Sequence, residues 1–234
     1  MSPLLSARQR AAKRAVDLTI ALTLLPLALV LCGLAALLAC LFSCGPVLYR
    51  QQRVGFGGRT FVLYKLRTMI VDAERATGPT LASPDDPRLT FVGKWLKRFH
   101  LDELPQLWNV IRGDMTLVGP RPDRPVFVDQ FSARITSYDR RHRLVPGITG
   151  LAQLEGTYAS SAEEKLRFDL AYGANWSVLL DLKLLGRTPF AILSRSGASL
   201  GHAMRCPRAE AQPVASDGRR SLDRPLGAEL GTTS

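Results

Sequence analysis

Two adjacent carboxylates, Asp102 and Glu103, are the side chains best placed by the sequence to do chemistry. They precede an apolar-periodic segment, Leu104 to Ile111, that predicts a helix ending at Gly113. The free N–H groups and the positive dipole end at a helix start attract phosphate. An aspartate there most often caps the helix, but it can also attack a bound phosphoryl group. These residues alone leave both interpretations open.

Basic residues crowd this acidic pair and favour the second interpretation. In metal-assisted phosphoryl transfer, cations neutralise charge on the phosphate oxygens. An acidic pair surrounded by positive charge suits that chemistry. The neighbours that carry the charge are Lys94, Lys97, Arg98, Arg112 and Arg121.

The composition of the whole chain also indicates a polyanionic partner. Its 234 residues carry a formal net charge of +11 and give a pI near 10.1. A long apolar run near the N-terminus favours a membrane and a phosphate-bearing substrate over nucleic acid. Trp95 and Trp108 lie at helical core spacing rather than as platforms for stacking bases. No two of the four cysteines form a C-x-x-C pair, so neither a disulfide framework nor a zinc site is predicted.

The apolar run from Leu18 to Phe42 is long enough for a transmembrane helix, which needs about 20 residues. It is too long for the h-region of a signal peptide, which has about 7–15 residues. Pro26 lies inside the run and is predicted to kink the helix. Because both flanks are basic, the positive-inside rule is better satisfied if both ends remain cytoplasmic. We therefore favour a re-entrant helix in one leaflet, with a single-pass span as the alternative.

The rest of the chain predicts a small catalytic domain. Two β-rich runs around a glycine-rich turn, between Val47 and Lys65, predict a β-hairpin. The segment from Phe91 to Phe99 predicts an amphipathic helix, and Phe168 to Leu185 predicts another helix with Gly173 as a weak point. The predicted divisions are 1–45 for the basic segment and membrane helix, 46–204 for the catalytic domain, and 205–234 for a disordered polar tail.

Two runs around the acidic pair, LDELPQLWNV from Leu101 and RGDMTLVGPRP from Arg112, resemble the signature of the bacterial sugar transferases. These monotopic phosphoglycosyl transferases start glycan assembly on undecaprenyl phosphate. The matches occur in family order from about Lys13 to Thr188. Further matches are KRAVD from Lys13, RQQRVG from Arg50, YKLRTM from Tyr64, DPRLT from Asp86 and PGITGLAQ from Pro146.

The resemblance implies an α+β, mainly helical fold at the bacterial inner membrane. It would have a re-entrant membrane helix kinked at Pro26, amphipathic interfacial helices, and a small catalytic domain with a short β-hairpin on the cytoplasmic face. It also implies that Asp102 attacks the β-phosphate of a UDP-sugar and releases UMP, after which undecaprenyl phosphate attacks the phosphosugar-enzyme. Mg²⁺ would be held at Asp102 and Glu103. Glu103 would either position this metal or assist the acceptor.

The implied substrate contacts lie at basic positions. Arg121 would contact the nucleotide or its phosphates, and the further candidates are Lys65, Arg67, Lys97 and Arg98. The implied partners are the UDP-sugar, undecaprenyl phosphate and membrane lipid, with a homodimer as an open assembly state and no nucleic acid. The product would enter exopolysaccharide, capsule, O-antigen or glycoprotein glycan assembly. The motifs imply the reaction type rather than a particular sugar.

Several positions depart from the family pattern without touching the acidic pair. Leu25 replaces the serine that commonly precedes the kinking proline, and Leu151 replaces a common tryptophan. Lys97 replaces an arginine and loses its bidentate fork, so Arg98 is a possible substitute. His100 replaces a small hydroxyl residue and is either a base or a hydrogen-bonding bystander. The main rival is a degenerate scaffold without activity. A multi-pass transferase of another fold is disfavoured, because the sequence has one run long enough to span.

Overall fold

The computed structural model describes residues 4–42, 45–75, 78–80, 86–156 and 160–203, without the side chains of 195–203. The fold is mainly helical, as predicted, with one long apolar N-terminal helix and two small two-stranded sheets. The tail predicted for 205–234 lies outside the described residues. The division of the chain near residue 45 stays a prediction.

The apolar segment lies in a single long helix, α1, over Ala7–Phe42, with Pro26 inside it. Its 36 residues extend for about 54 Å. Within the described ranges it is the one helix long and apolar enough to cross a membrane. One stripe of it is buried, and its other faces expose many leucines; the stripe is formed by Lys13, Asp17, Ala21, Ala28, Ala35 and Ala39. Because the stripe covers most of its length, α1 lies along the domain rather than projecting from it.

The predicted β-hairpin is confirmed. Strand β1, Leu48–Val54, pairs antiparallel with β2, Thr60–Leu66, with Gln51 opposite Leu63. A 3-10 turn over Phe56–Gly58 joins the strands. Gly57 has a φ of 67° in this turn, a conformation that glycine adopts without strain.

Helix α2, Phe91–Arg98, confirms the predicted amphipathic helix. The Thr90 hydroxyl caps it by accepting a hydrogen bond from the Gly93 amide at 2.9 Å. A Cβ on Gly93 would overlap the Thr68 carbonyl, so α2 packs directly against the chain that follows β2. The opposite face is apolar and exposed through Phe91, Trp95 and Phe99.

Helix α3, Gln106–Arg112, confirms the helix predicted after the acidic pair, and Gly113 ends it with a φ of 91°. Asn109 is fully buried and joins α3 to β2. Its Nδ2 donates to the Val62 carbonyl at 2.7 Å, and its Oδ1 accepts from the Tyr64 amide at 3.2 Å. The side-chain amide therefore pairs with β2 as a neighbouring strand would.

A second sheet, which the sequence did not predict, consists of β3, Thr116–Val118, and β4, Gly147–Thr149, in parallel. The Gly119 amide donates to the Thr149 carbonyl at 2.8 Å, and the Gly147 amide donates to the Pro120 carbonyl at 2.9 Å. A Cβ on Gly119 or Gly147 would overlap neighbouring backbone atoms, so this close crossing requires glycine at both positions. The crossing fixes the backbone that continues from β3.

The remaining helical elements surround these sheets. They are α4 (Pro125–Ser132), a 3-10 segment (Tyr138–Arg143), α5 (Leu151–Glu155), α6 (Ala162–Ala174) and α7 (Val178–Ala203).

The prediction of one helix from Phe168 to Leu185 was wrong, because α6 and α7 are separate and the break follows Asn175 rather than Gly173. The side-chain Nδ2 of Asn175 donates to the Ala171 carbonyl at 2.9 Å, and the Ser177 hydroxyl accepts from the Leu180 amide at 3.1 Å. Such local contacts end one helix and begin the next.

A buried charge cluster ties α1 to α6 and α7. Asp181 accepts hydrogen bonds from Lys13 Nζ at 2.6 Å, the Tyr172 hydroxyl at 2.6 Å and the Trp176 indole at 3.0 Å. The side chains of Lys13 and Asp181 are only 8% and 4% exposed. The N-terminal part of α1 is therefore fixed to the domain by a paired charge rather than by apolar contacts alone.

Two further side chains of α1 bind the elements around the acidic pair. Asp17 accepts from the Thr116 hydroxyl at 2.5 Å and from the Leu117 amide at 3.1 Å, both on β3. Arg14 donates to the last-turn carbonyls of α3. Helix α1 and the chain around the acidic pair therefore form one packed unit.

We expect Asp181→Asn to lower the free energy of unfolding by about 3 kcal/mol, since it leaves the Lys13 ammonium buried without its partner. Thermal unfolding in detergent measures this change. Asp129→Asn, on the exposed face of α4, is the matched control and is expected within about 0.5 kcal/mol of the unchanged protein. Equal effects of the two substitutions would contradict the assignment.

Candidate active site

The acidic pair lies in a 3-10 turn, Leu101–Glu103, that precedes α3. The sequence places Asp102 and Glu103 at the start of the helix, and in the structure their 3-10 turn continues through the αR residues Leu104 and Pro105 into α3. Pro105 is the N-cap of α3, and no side-chain cap is present at either element. The Glu103 amide is already used by the His100 carbonyl at 3.2 Å. The capping interpretation therefore fails for both carboxylates.

The turn buries both carboxylates, each of which is 7% exposed. His100 starts the turn with a φ of 55° and a ψ of 22°, in the left-handed region. A histidine in this region costs of the order of 1 kcal/mol. This strained start directs Asp102 and Glu103 towards the interior, beside the hairpin and the chain after β3.

The two carboxylates have different surroundings. Glu103 accepts two hydrogen bonds from the Arg121 guanidinium, at 2.5 Å for Nη2–Oε1 and 3.5 Å for Nη1–Oε2. Its Oε2 also lies 3.8 Å from His100 Nδ1. Asp102, in contrast, has no hydrogen bond or ion pair with any side chain in the part of the chain that the structure describes. Glu103 is held in place, whereas Asp102 is free to bind or to react.

The electrostatics follow from these surroundings. Burial, together with the neighbouring charge of Glu103, raises the pKa of Asp102 to about 6. Burial would also raise the pKa of Glu103, but the Arg121 guanidinium and the His100 contact hold it well below its usual range. Glu103 raises the pKa of Arg121 in turn. Glu103 and Arg121 therefore form a permanent ion pair, and Asp102 carries a charge that the fold leaves without a partner.

Two cations of the hairpin, Lys65 and Arg53, lie near Arg121. Burial and the nearby Arg121 lower the pKa of Lys65 to about 8. Burial and Arg121 also lower the pKa of Arg53, to about 10. Lys65 is attracted to Asp102 and Glu103 as well. Cations that depress one another's pKa in this way are expected where an anionic ligand binds. The cluster of Arg53, Lys65 and Arg121, called here the cation cluster, suits a diphosphate.

The backbone around Arg121 is held in place by hydrogen bonds from Arg141 and Arg53. Arg141, in the 3-10 segment after α4, donates to the Arg121 carbonyl at 2.9 Å through Nη2 and pairs with Asp123 through Nη1. The same guanidinium contacts Asp169 of α6 at 2.9 Å. Arg53 Nη1 donates to the Pro122 carbonyl at 2.8 Å. These contacts fix the backbone of the P-R-P turn, so that its arginine can reach Glu103.

The other predicted phosphate contacts lie at different distances from the pair. Lys97 lies on α2, near Asp102. Burial lowers the pKa of Lys97, and the negative charges of Asp86 and Asp102 oppose that shift. Arg98 lies over the rings of Trp95 and Phe99, at 5.7 and 5.8 Å, on the exposed apolar face of α2. Arg67 packs against Gly45, just after α1. The structure thus brings Lys65 and Arg121 to Asp102 and Glu103, and it places Arg98 and Arg67 elsewhere.

The acidic pair offers two carboxylates to the predicted magnesium ion. Across the described ranges, no group of three or more His, Cys, Asp or Glu side chains could hold a metal ion. Magnesium is commonly bound by one or two carboxylates together with substrate phosphates. The unpaired carboxylate of Asp102, with Glu103 beside it, matches that donor set. A bound cation would also offset the charge that raises the pKa of Asp102.

Sequence reasoning missed Arg53 and the Asp123–Arg141 support. Arg53 lies in the RQQRVG motif, so the signal was present, but only the fold places it beside Arg121. Asp123 follows the P-R-P turn directly and is the acceptor for the Arg141 guanidinium and for the Tyr138 hydroxyl at 2.8 Å. No motif marked Arg141, which acts through contacts distant in sequence.

Comparison with known proteins gives a match to the model of the bacterial sugar transferase family over residues 8–195. A UDP-N-acetylgalactosamine-undecaprenyl-phosphate N-acetylgalactosaminephosphotransferase of Aeromonas hydrophila is 42% identical over 189 residues, covering 80% of this chain and 44% of that protein. A UDP-glucose:undecaprenyl-phosphate glucose-1-phosphate transferase of Caulobacter vibrioides is 42% identical over 193 residues, covering 80% of this chain and 71% of that protein. The Escherichia coli protein of the same name is 42% identical, with 80% and 41% covered. The chain thus spans less than half of the Aeromonas and Escherichia relatives.

Proposed function

This chain belongs to the bacterial sugar transferase family, and we propose that it transfers a sugar phosphate from a UDP-sugar to undecaprenyl phosphate. The observation that carries the proposal is the position of Asp102: buried, without a hydrogen-bonding partner among the described residues, and beside the cation cluster. The relatives whose names state this reaction support it.

In the first half-reaction a carboxylate oxygen of Asp102 attacks the β-phosphorus of the UDP-sugar. The bond from this phosphorus to the bridging oxygen breaks, and UMP leaves with the electron pair. Arg53, Lys65 and Arg121 would neutralise charge on the diphosphate as it is cleaved. The product is an acyl phosphate that links Asp102 to the sugar phosphate.

In the second half-reaction an oxygen of undecaprenyl phosphate attacks the same phosphorus. The bond to Asp102 breaks, the carboxylate is restored, and a polyprenyl diphosphate sugar forms. A phosphate monoester has its second pKa near 6, so the acceptor is largely a dianion at neutral pH and needs no general base. A strongly ionised Glu103 paired with Arg121 is a poor base in any case. Of its two open roles, we assign Glu103 to positioning cations.

Magnesium bound by Asp102 and Glu103 would supply charge neutralisation on the donor diphosphate. The chain's own contribution is to hold Glu103 through Arg121 and to leave Asp102 unpaired. Asp102 would therefore both help to hold the metal and act as the nucleophile.

We further propose that the domain lies on the cytoplasmic face of the inner membrane. The exposed apolar side chains of α1, α2 and α7 would contact lipid, with Arg98 over the rings of Trp95 and Phe99 at the interface. The buried stripe of α1 lies along the domain from Lys13 to Ala39. This packing supports a re-entrant helix whose two ends are both on the side of the membrane that carries the domain.

This topology predicts the labelling of single cysteines placed at the exposed positions Ser6 and Thr60 in a cysteine-free protein. A membrane-impermeant thiol reagent should label neither in intact cells and both in inverted vesicles. Labelling of the Ser6 position from outside intact cells would show that α1 spans the bilayer.

The proposed reaction is tested by incubating the full chain in membranes with UDP-sugars and magnesium, without acceptor. We expect UMP release up to one equivalent per enzyme and a sugar-phosphate mass on the Asp102 peptide under a quench that preserves acyl phosphates. Addition of undecaprenyl phosphate should restore steady turnover with parallel initial-rate plots. Direct transfer would instead give no adduct and intersecting plots, and a non-catalytic scaffold would release no UMP under any of these conditions.

A further inference from the structure

A large apolar cavity lies between α1 and α7, next to the acidic pair. Its volume is about 380 Å³, within the range of small-molecule sites. Its apolar wall is formed by Leu24, Leu27 and Leu31 of α1, Leu104 and Leu107 beside the 3-10 turn, and Ile192 of α7. We call this space the α1–α7 cavity.

The cavity is polar at one end. Glu103 and His100 line it there, and Thr149, Thr188 and Gln153 also contribute to the wall. The cation cluster is not part of the lining. Glu103 lines the cavity, whereas Asp102 does not, so the cavity meets the acidic pair at Glu103 and away from the cation cluster. This arrangement suits a ligand with an anionic head at the active site and a long apolar body.

The other end of the cavity is continuous with the surface that would contact lipid. Leu24 and Leu27 line the cavity and are also 45% and 59% exposed. Pro26 lies between them, and Pro189 of α7 also lines the cavity. Each proline removes one backbone hydrogen bond from its helix at this level. A ligand could thus enter between the two helices from the bilayer without crossing water.

We propose that the α1–α7 cavity binds the isoprenoid units nearest to the phosphate of the acceptor lipid. This inference rests on the proposed function and adds the location of the second substrate. The UDP-sugar occupies the side of the cation cluster, and the acceptor reaches the phosphosugar-enzyme from the α1–α7 side. Occupancy of the cavity would bring the acceptor phosphate to the end lined by His100 and Glu103, from which it would reach the phosphorus on the neighbouring Asp102.

The test fills the cavity with a bulky ring in the full chain, using Leu31→Trp and Ile192→Trp. Leu34→Trp is the matched control, because Leu34 is on α1, is 55% exposed and does not line the cavity. Single-turnover UMP release without acceptor, and steady-state turnover against undecaprenyl phosphate, are measured for each variant. We expect the KM for undecaprenyl phosphate to rise about tenfold or more in the two cavity variants, with UMP release in the first turnover unchanged.

A short acceptor provides a second measurement. Geranyl phosphate should be a poorer acceptor than undecaprenyl phosphate for the unchanged protein, and the cavity substitutions should reduce that preference. An unchanged KM in both cavity variants would overturn the inference. An equal loss in both half-reactions would also overturn it. Absence of UMP release from the unchanged protein would instead refute the proposed function, so the two failures are distinct.

Discussion

Replacing Asp102 by asparagine is expected to abolish both UMP release and formation of the sugar-phosphate adduct. We expect this loss of activity to be the largest caused by any single substitution. The amide keeps the size of the side chain but has no oxyanion to attack phosphorus. Loss of a covalent nucleophile is expected to lower the rate at least about 10³-fold. Asp129→Asn, at an exposed position on α4, is the matched control and should retain full activity. A labelled Glu103 peptide in the Asp102→Asn protein would show that the neighbouring carboxylate can substitute.

The same substitution should stabilise the fold. Burial and Glu103 raise the pKa of Asp102 from 3.8 to about 6, so stability is lost as the pH rises between these two values, and above pH 6 the carboxylate is charged in both states but is disfavoured only in the folded one. Asparagine removes this cost. At pH 7.5 in EDTA we expect Asp102→Asn to raise the free energy of unfolding by about 1–3 kcal/mol. The gain should vanish near pH 4, where Asp102 is protonated in the folded protein. A stability gain that does not depend on pH would contradict this origin.

The sequence predicted those parts of the fold that local pattern determines. Hydropathy marked α1, and two runs rich in β-branched and aromatic residues around the glycine-rich turn marked the hairpin. The apolar spacing before Gly113 marked α3. The β3–β4 pair was not predictable in this way, since each strand has three residues and is held by a crossing with a partner distant in sequence. The break after Asn175 depends on short polar contacts made by Asn175 and Ser177. In the sequence pattern these two residues do not differ from ordinary helix residues.

The candidate site was predictable in composition but not in geometry. The motif marked Asp102, Glu103 and Arg121, and the structure brings all three together. The motif could not show that the guanidinium of Arg121 pairs with Glu103 and leaves Asp102 free. That asymmetry depends on Arg141, which orients the P-R-P turn from an unmarked position. It also depends on the left-handed conformation of His100, where local preference would have favoured a regular helix start.

The second large effect should follow from Glu103→Gln, which breaks the ion pair with Arg121. Glutamine can accept one hydrogen bond but carries no charge, so Arg121 is no longer held towards the donor and one carboxylate of the proposed magnesium site is lost. Removing one such element of electrostatic preorganisation typically costs about 10²–10³ in rate. We expect that loss in single-turnover UMP release, with a small amount of adduct still detectable on Asp102. Complete loss of adduct would mean that Glu103 is required for the attack itself.

Stability separates the roles of the two carboxylates. Because the pKa of Glu103 is held well below its usual range, its charge stabilises the fold above pH 4.5, and that stabilisation is lost only as the pH falls through the lower folded-state pKa. Glu103→Gln should therefore lower the free energy of unfolding at pH 7.5 by about 1–2 kcal/mol, a modest value because the Arg121 side chain is 41% exposed. Glu155→Gln, which breaks the exposed pair with Arg187, is the matched control and should cost less than about 0.5 kcal/mol. Opposite signs for Asp102→Asn and Glu103→Gln are expected if one carboxylate is strained for catalysis and the other holds the site together. If Glu103→Gln instead stabilised the fold, the charges of both carboxylates would be unfavourable in the folded protein. The basis for assigning them different roles would then be removed.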